Sequence, residues 1–187
     1  MTGWIVLAAL VAVLLYFVMA YNRLVRLRTQ ADAGWSQIDV QLRRRYDLVP
    51  NLVESVKAYM AHEQGVLEAV TRARAEAMGA GGDVATRSAA EGRLGAALSG
   101  LMLRAEAYPE LKAAGNVLAL QEELASTENR IAFARQHFND CVMEYNTRIA
   151  SVPDVLLAGP LGFRGRAMFE AGETERAAPR VQIQAGR

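Results

Sequence analysis

Tyr46-Asp47-Leu48-Val49-Pro50 is the stretch whose reading decides the fold. A proline removes one helical hydrogen bond and disfavours a helical residue before it, yet kinked helices survive it. If the chain reverses here, the residues after the N-terminal apolar run divide into four helices of about 24, 29, 24 and 34 residues, roughly 35 to 50 Å each. If it only kinks, one helix of about 57 residues reaches roughly 85 Å, and its partners are too short to cover it. Burial of apolar faces favours the reversal. The sequence therefore predicts an all-α chain whose body is an antiparallel up-and-down four-helix bundle.

The flanking patterns agree with that class. Upstream, Leu24, Leu27, Ala31, Trp35, Ile38 and Leu42 recur in steps of three and four, which marks one helix face. Downstream, Val49, Val53, Val56, Met60, Leu67 and Val70 form a second run. Gly79-Ala80-Gly81-Gly82-Asp83 interrupts it, with Asp83 suited to cap the next helix. A third run holds Leu94, Leu98, Leu101 and Tyr108 before Pro109. The fourth carries Leu124, Ile131, Phe138, Tyr145 and Val152 at seven-residue intervals and stops at Pro153. Period-two alternation of useful length is absent up to that point.

Before the bundle lies an uncharged run, Gly3 to Tyr21 (GWIVLAALVAVLLYFVMAY). About 20 apolar residues suffice to cross the roughly 30 Å of a bilayer's hydrocarbon. Trp4 at one end and Tyr16 with Tyr21 towards the other are rings suited to the headgroup zone. A buried soluble helix would carry a polar stripe, and a signal peptide would carry a basic segment before Gly3; this run has neither. Arg23, Arg26 and Arg28 follow the span directly. Positive flanks stay in the cytoplasm, which predicts a single membrane pass with the N-terminus out and the bundle cytoplasmic. The alternative places the bundle on the outer side. The expected divisions are an anchor over 1–22, a bundle over 23–153 and an irregular tail over 154–187.

Composition excludes several functions. The 21 basic and 20 acidic residues leave no concentrated basic face, so nucleic acid is not an expected partner. Neither His62 nor His137 stands three residues after a glutamate, as a di-iron bundle requires, and Val66 occupies the place of a second zincin-type histidine. His137 and Cys141 lie one helical turn apart, but Cys141 falls between Phe138 and Tyr145, where a packed small residue is expected rather than a nucleophile. Nucleophile-elbow, P-loop and dinucleotide fingerprints are missing. No catalytic residue, metal or cofactor is expected. Arg43-Arg44-Arg45 reads as solvated surface with partners among the bundle acids.

Two groups remain as candidate sites. Gln121, Glu128 and Arg135, seven apart on the fourth run, form a polar seam beside Leu124, Ile131 and Phe138. Such a seam either fixes helix register or flanks the core in water. The second group lies in the tail. Up-down parity returns the fourth helix to the start of the first, placing Tyr145-Asn146 near Tyr21-Asn22 at the membrane face. Leu156, Leu157, Phe163, Arg164, Arg166 and Phe169 follow as a contact surface for lipid or a neighbouring subunit. The neighbour is preferred, because Gly159, Pro160, Gly162 and Gly165 oppose an amphipathic helix. Val181-Gln182-Ile183 has the alternation of a short strand.

Several strings resemble the LemA family of bacterial membrane proteins. They are Tyr21-Asn22 with Leu24-Val25, Ala33 to Val40 (AGWSQIDV) and Arg44 to Glu54 (RRYDLVPNLVE). His62-Glu63, Ala73-Arg74, Tyr108 to Lys112 (YPELK), Leu120 to Leu124 (LQEEL) and Thr127 to Ile131 (TENRI) follow in order, and Tyr145-Asn146 with Pro153 close the match. The resemblance implies an N-terminal transmembrane helix, a helical bundle and no established catalytic activity; some relatives are linked to building specialised bacterial membranes such as magnetosomes. Anchors vary within the family, so topology does not transfer. The resulting expectation is a non-enzymatic membrane-tethered scaffold that forms homo-oligomers and docks a membrane-protein partner. An adaptor or regulatory subunit of a membrane enzyme such as a protease is the alternative, and an unrecognised hydrolase is a third.

Overall fold

A computed structural model describes residues 1–169. Among them all regular elements are helices: α1 (Thr2–Lys57), α2 (Gln64–Gly79), α3 (Val84–Ala105), α4 (Pro109–Ala113), α5 (Gly115–Ala150) and α6 (Val155–Ala158). The Val181-Gln182-Ile183 alternation lies outside the described residues.

The chain does not reverse at Pro50, which sits inside α1. Leu48, Val49 and Leu52 around it are all buried. Burying each such side chain stabilises by about 1.5–3 kcal/mol, and three together outweigh the roughly 3 kcal/mol that an interior proline costs. The helix ends later, after Lys57. There the amides of Tyr59 and Met60 both donate to the Val56 carbonyl at 3.0 and 2.9 Å, and the Glu63 amide donates to Met60 at 2.9 Å. Met60 is fully buried and anchors this reversal.

The chain forms two compact units. One comprises residues 1–48 and 119–168. In it α1 and α5 run antiparallel, as three pairings show. Leu24 shares a cluster with Tyr145, the rings of Trp35 and Phe138 are 5.4 Å apart, and Arg45 meets Glu128 at 2.7 Å. Leu24, Leu27, Ala31, Ile38 and Leu42 are buried from α1; Leu124, Ile131, Phe138, Val142 and Tyr145 from α5. Gly34 permits a close approach, since a Cβ there would stand 3.2 Å from the Phe138 Cα.

The segment after α5 folds back on this unit and is not wholly irregular, because α6 adds one helical turn. The Tyr145 hydroxyl donates to the Arg164 carbonyl at 3.0 Å. Asn146 brackets Arg166, donating to its carbonyl at 2.8 Å and accepting from its amide at 2.9 Å. The Arg166 guanidinium reaches Asp32 at 2.5 Å.

The other unit holds residues 49–118 and Phe169. Here α2 and α3 pack together, burying Leu67, Val70 and Ala77 from one and Leu94, Leu98 and Leu101 from the other. Asp83 caps α3 as its position predicts, its carboxylate accepting from the Thr86 amide at 2.7 Å. That bond holds the carboxyl below the usual carboxylate range.

Candidate functional site

The apolar run forms the first third of α1, and its surface is bare. Trp4 is 78% exposed, and Leu7, Leu10, Leu14 and Phe17 are also open. This helix is long and apolar enough to cross a membrane, with only 6% of its most hydrophobic window buried. Arg23, Arg26 and Arg28 are exposed just beyond it, and Tyr21 is exposed while Tyr16 is half-buried.

Tyr16 is held by the returning chain. Its hydroxyl donates to Asp154 at 2.7 Å. Asp154 is completely buried and ion-paired with Arg148. One step along, the Tyr21 ring meets Phe163 edge-on with centroids 5.9 Å apart. Phe163 and Ala158 complete a cluster with Leu24, Leu27 and Tyr145. The end of the α5 run thus lies beside Tyr21 and Leu24, as helix parity requires.

The tail residues divide accordingly. Phe163 and Phe169 are buried within this chain, and Arg166 is committed to Asp32. Leu157 is half-buried, whereas Leu156 and Arg164 face outward. Sequence reasoning missed the clasp of Tyr16, Arg148 and Asp154. The available signal was a carboxylate directly after a helix-stopping proline, beside an apolar span whose inner half offers two hydroxyls, Tyr16 and Tyr21.

On α5, Gln121, Glu128 and Arg135 are half-buried. The seam's buried member is on α1. The Arg45 side chain is 1% exposed and pairs at 2.7 Å with Glu128, itself 44% exposed. Nearby, Arg44 pairs with Glu123 at 2.7 Å near the surface. Thr127 is buried and donates to the Glu123 carbonyl at 2.8 Å. Arg45 is therefore not the solvated surface residue that the arginine triplet suggests. Its signal lay in the spacing: Ile38, Leu42, Arg45 and Val49 occupy one helical stripe.

Cys141 Sγ lies 3.8 Å from His137 Nε2. Burial, with the Glu144 and Asp140 carboxylates added, pushes the thiol's pKa up, away from the thiolate form that reacts. Among the described residues no group of three or more His, Cys, Asp or Glu side chains is placed to hold a metal ion.

A bare apolar helix of spanning length, continuous with a charged helical body, defines a membrane-associated helical protein. The chain belongs to the LemA family, whose sequence signature matches residues 34–183. It is 29% identical over 201 residues to magnetosome protein MamQ of Magnetospirillum gryphiswaldense, covering 92% of this chain and 74% of the relative. Magnetosome protein MamQ 2 of Paramagnetospirillum magneticum is 27% identical with the same coverage. Protein LemA of Metamycoplasma hominis is 23% identical over 155 residues, covering 83% of this chain and 71% of the relative.

Proposed function

We propose that the chain is a non-enzymatic, membrane-tethered scaffold that self-associates and docks membrane partners in membrane organisation. The observation that carries this reading is an open groove along the outside of the α1–α5 pair. It encloses about 490 Å³ and is lined by Gln37, Val40, Gln41, Arg130, Phe133, Ala134 and His137. Phe133 is 74% and Val40 61% exposed, two large apolar side chains left open on adjoining helices. Apolar patches rimmed by polar groups mark interaction surfaces. Gln41 adds a recognition group, because its Oε1 is buried with no hydrogen-bond partner among the described residues. Leaving such an acceptor unpaired costs about 1–3 kcal/mol, which an incoming donor recovers. The magnetosome proteins among the relatives support membrane organisation as the process.

A benzophenone amino acid placed at position 133 in native membranes tests the groove. It should crosslink to a second copy of the chain, whereas the same group at Ala132, about 100° round the helix, should not. Equal yields at the two positions would remove the groove from the interface.

The exposed Arg23, Arg26 and Arg28 support a cytoplasmic body. A cysteine at Gly82 should then resist a membrane-impermeant maleimide in intact spheroplasts; its labelling would reverse the orientation.

A further inference from the structure

The packed face of α1 begins inside the apolar span. Tyr16 is half-buried, and Ala20, Leu24 and Leu27 follow it as buried positions at helical intervals. Tyr16 and Leu24 are both met by the chain after Ser151, through Asp154 and through Ala158 with Phe163. These contacts fix the level of that chain against the anchor. Tyr16 stands five residues inside Tyr21, the last residue of the uncharged run. At 1.5 Å per residue that is about 7–8 Å, within the roughly 5–10 Å to which interfacial elements sink into the headgroup–acyl boundary.

The outward surface at this level is apolar. Val152 is 79%, Leu156 72% and Leu161 46% exposed. On α1 close to Tyr16, Leu15, Phe17 and Met19 are exposed as well. Several of the polar groups there are paired within the chain. Asp154 is taken by Tyr16 and Arg148. The amides of Val155, Ala158, Leu161 and Phe163 each bond a nearby carbonyl, at 2.8–3.1 Å. A segment entering the edge of the hydrocarbon needs such pairing, since water is scarce there. Arg23 and Arg164 are exposed, as side chains reaching for anionic headgroups would be.

We propose that residues 152–161 form a second bilayer-contacting element: a short wedge clasped to the anchor that sinks Val152, Leu156 and Leu161 into lipid. The wedge sets the angle and height at which the helical body leaves the membrane, because it braces α1 where the span ends. It rests on the anchor crossing the bilayer, and the test separates the two.

Full-length protein carrying Cys141→Ser receives single cysteines at Leu10, Leu156 or Val40, each exposed, and each is labelled with a nitrobenzoxadiazole fluorophore. The labelled chains are reconstituted in phosphatidylcholine–phosphatidylglycerol vesicles, with or without nitroxide-bearing lipid. Quenching at position 156 should be at least about twofold, comparable with position 10, while position 40 stays unquenched, as expected for an interfacial element. If position 10 is quenched and position 156 behaves like position 40, the wedge is overturned while the anchor stands; a second copy covering the segment gives that result. If position 10 is also unquenched, the anchor itself falls and the wedge with it.

Discussion

Replacing Arg45 by alanine is expected to cost about 3–5 kcal/mol, the range for breaking a buried ion pair. The Arg45 side chain is 1% exposed and its guanidinium donates to Glu128 at 2.7 Å. Truncation removes that charge and leaves a void where a long side chain was packed. Glu128→Ala should cost a similar amount, because it takes this carboxylate away from a guanidinium that stays buried. Arg45→Met should recover much of the loss, since apolar groups of similar volume often replace buried charges without penalty. Urea unfolding of the detergent-solubilised full chain, followed by circular dichroism, gives all three values. A loss below about 1 kcal/mol for Arg45→Ala would equate the pair with a solvated surface bridge and rule out the proposal that it fixes helix register.

Tyr145→Ala should destabilise by about 3–5 kcal/mol, as for deletion of a buried aromatic ring. Its ring packs with Leu24, Leu27, Ala158 and Phe163, and its hydroxyl donates to the Arg164 carbonyl at 3.0 Å. Tyr145→Phe keeps the ring and loses the bond, for about 0.5–1.5 kcal/mol. The two variants differ in a local readout as well. With the ring gone, the segment through Arg164 and Arg166 loses its seat, so trypsin should cut there faster than in the wild type. With only the hydroxyl gone, Asn146 still brackets Arg166, and cleavage should rise little. Equal cleavage of wild type and Tyr145→Ala would mean that the tail is held independently of this residue.

What was legible in the sequence were the long uninterrupted patterns. The span was plain because nineteen uncharged residues leave no helix face for water. Four of the five heptad positions on the last run, Leu124, Ile131, Phe138 and Tyr145, are buried. Val152 breaks the series at 79% exposed, since α5 stops at Ala150 and the chain changes direction. Pro50 misled, because its cost is local and visible while the burial of Leu48, Val49 and Leu52 that offsets it is tertiary. The true reversal at 58–63 contains neither glycine nor proline, so nothing local announced it. Arg45 was hidden by its neighbours: three consecutive arginines look like surface, although a helix must turn one of them inward. In the tail, the glycines and Pro160 correctly argued against a long helix. They could not reveal that Phe163 returns to its own chain, because that depends on side chains of α1 and α5 brought there by the fold.

The scaffold account stands most directly on the mass of the full-length protein after purification in detergent, measured by multi-angle light scattering with the detergent contribution subtracted. Self-association through the α1–α5 groove predicts a defined oligomer for the wild type and a smaller species for Phe133→Asp, with unchanged helicity. A wild-type chain that is monomeric across the accessible concentration range would contradict the scaffold and favour an adaptor that meets its partner one to one.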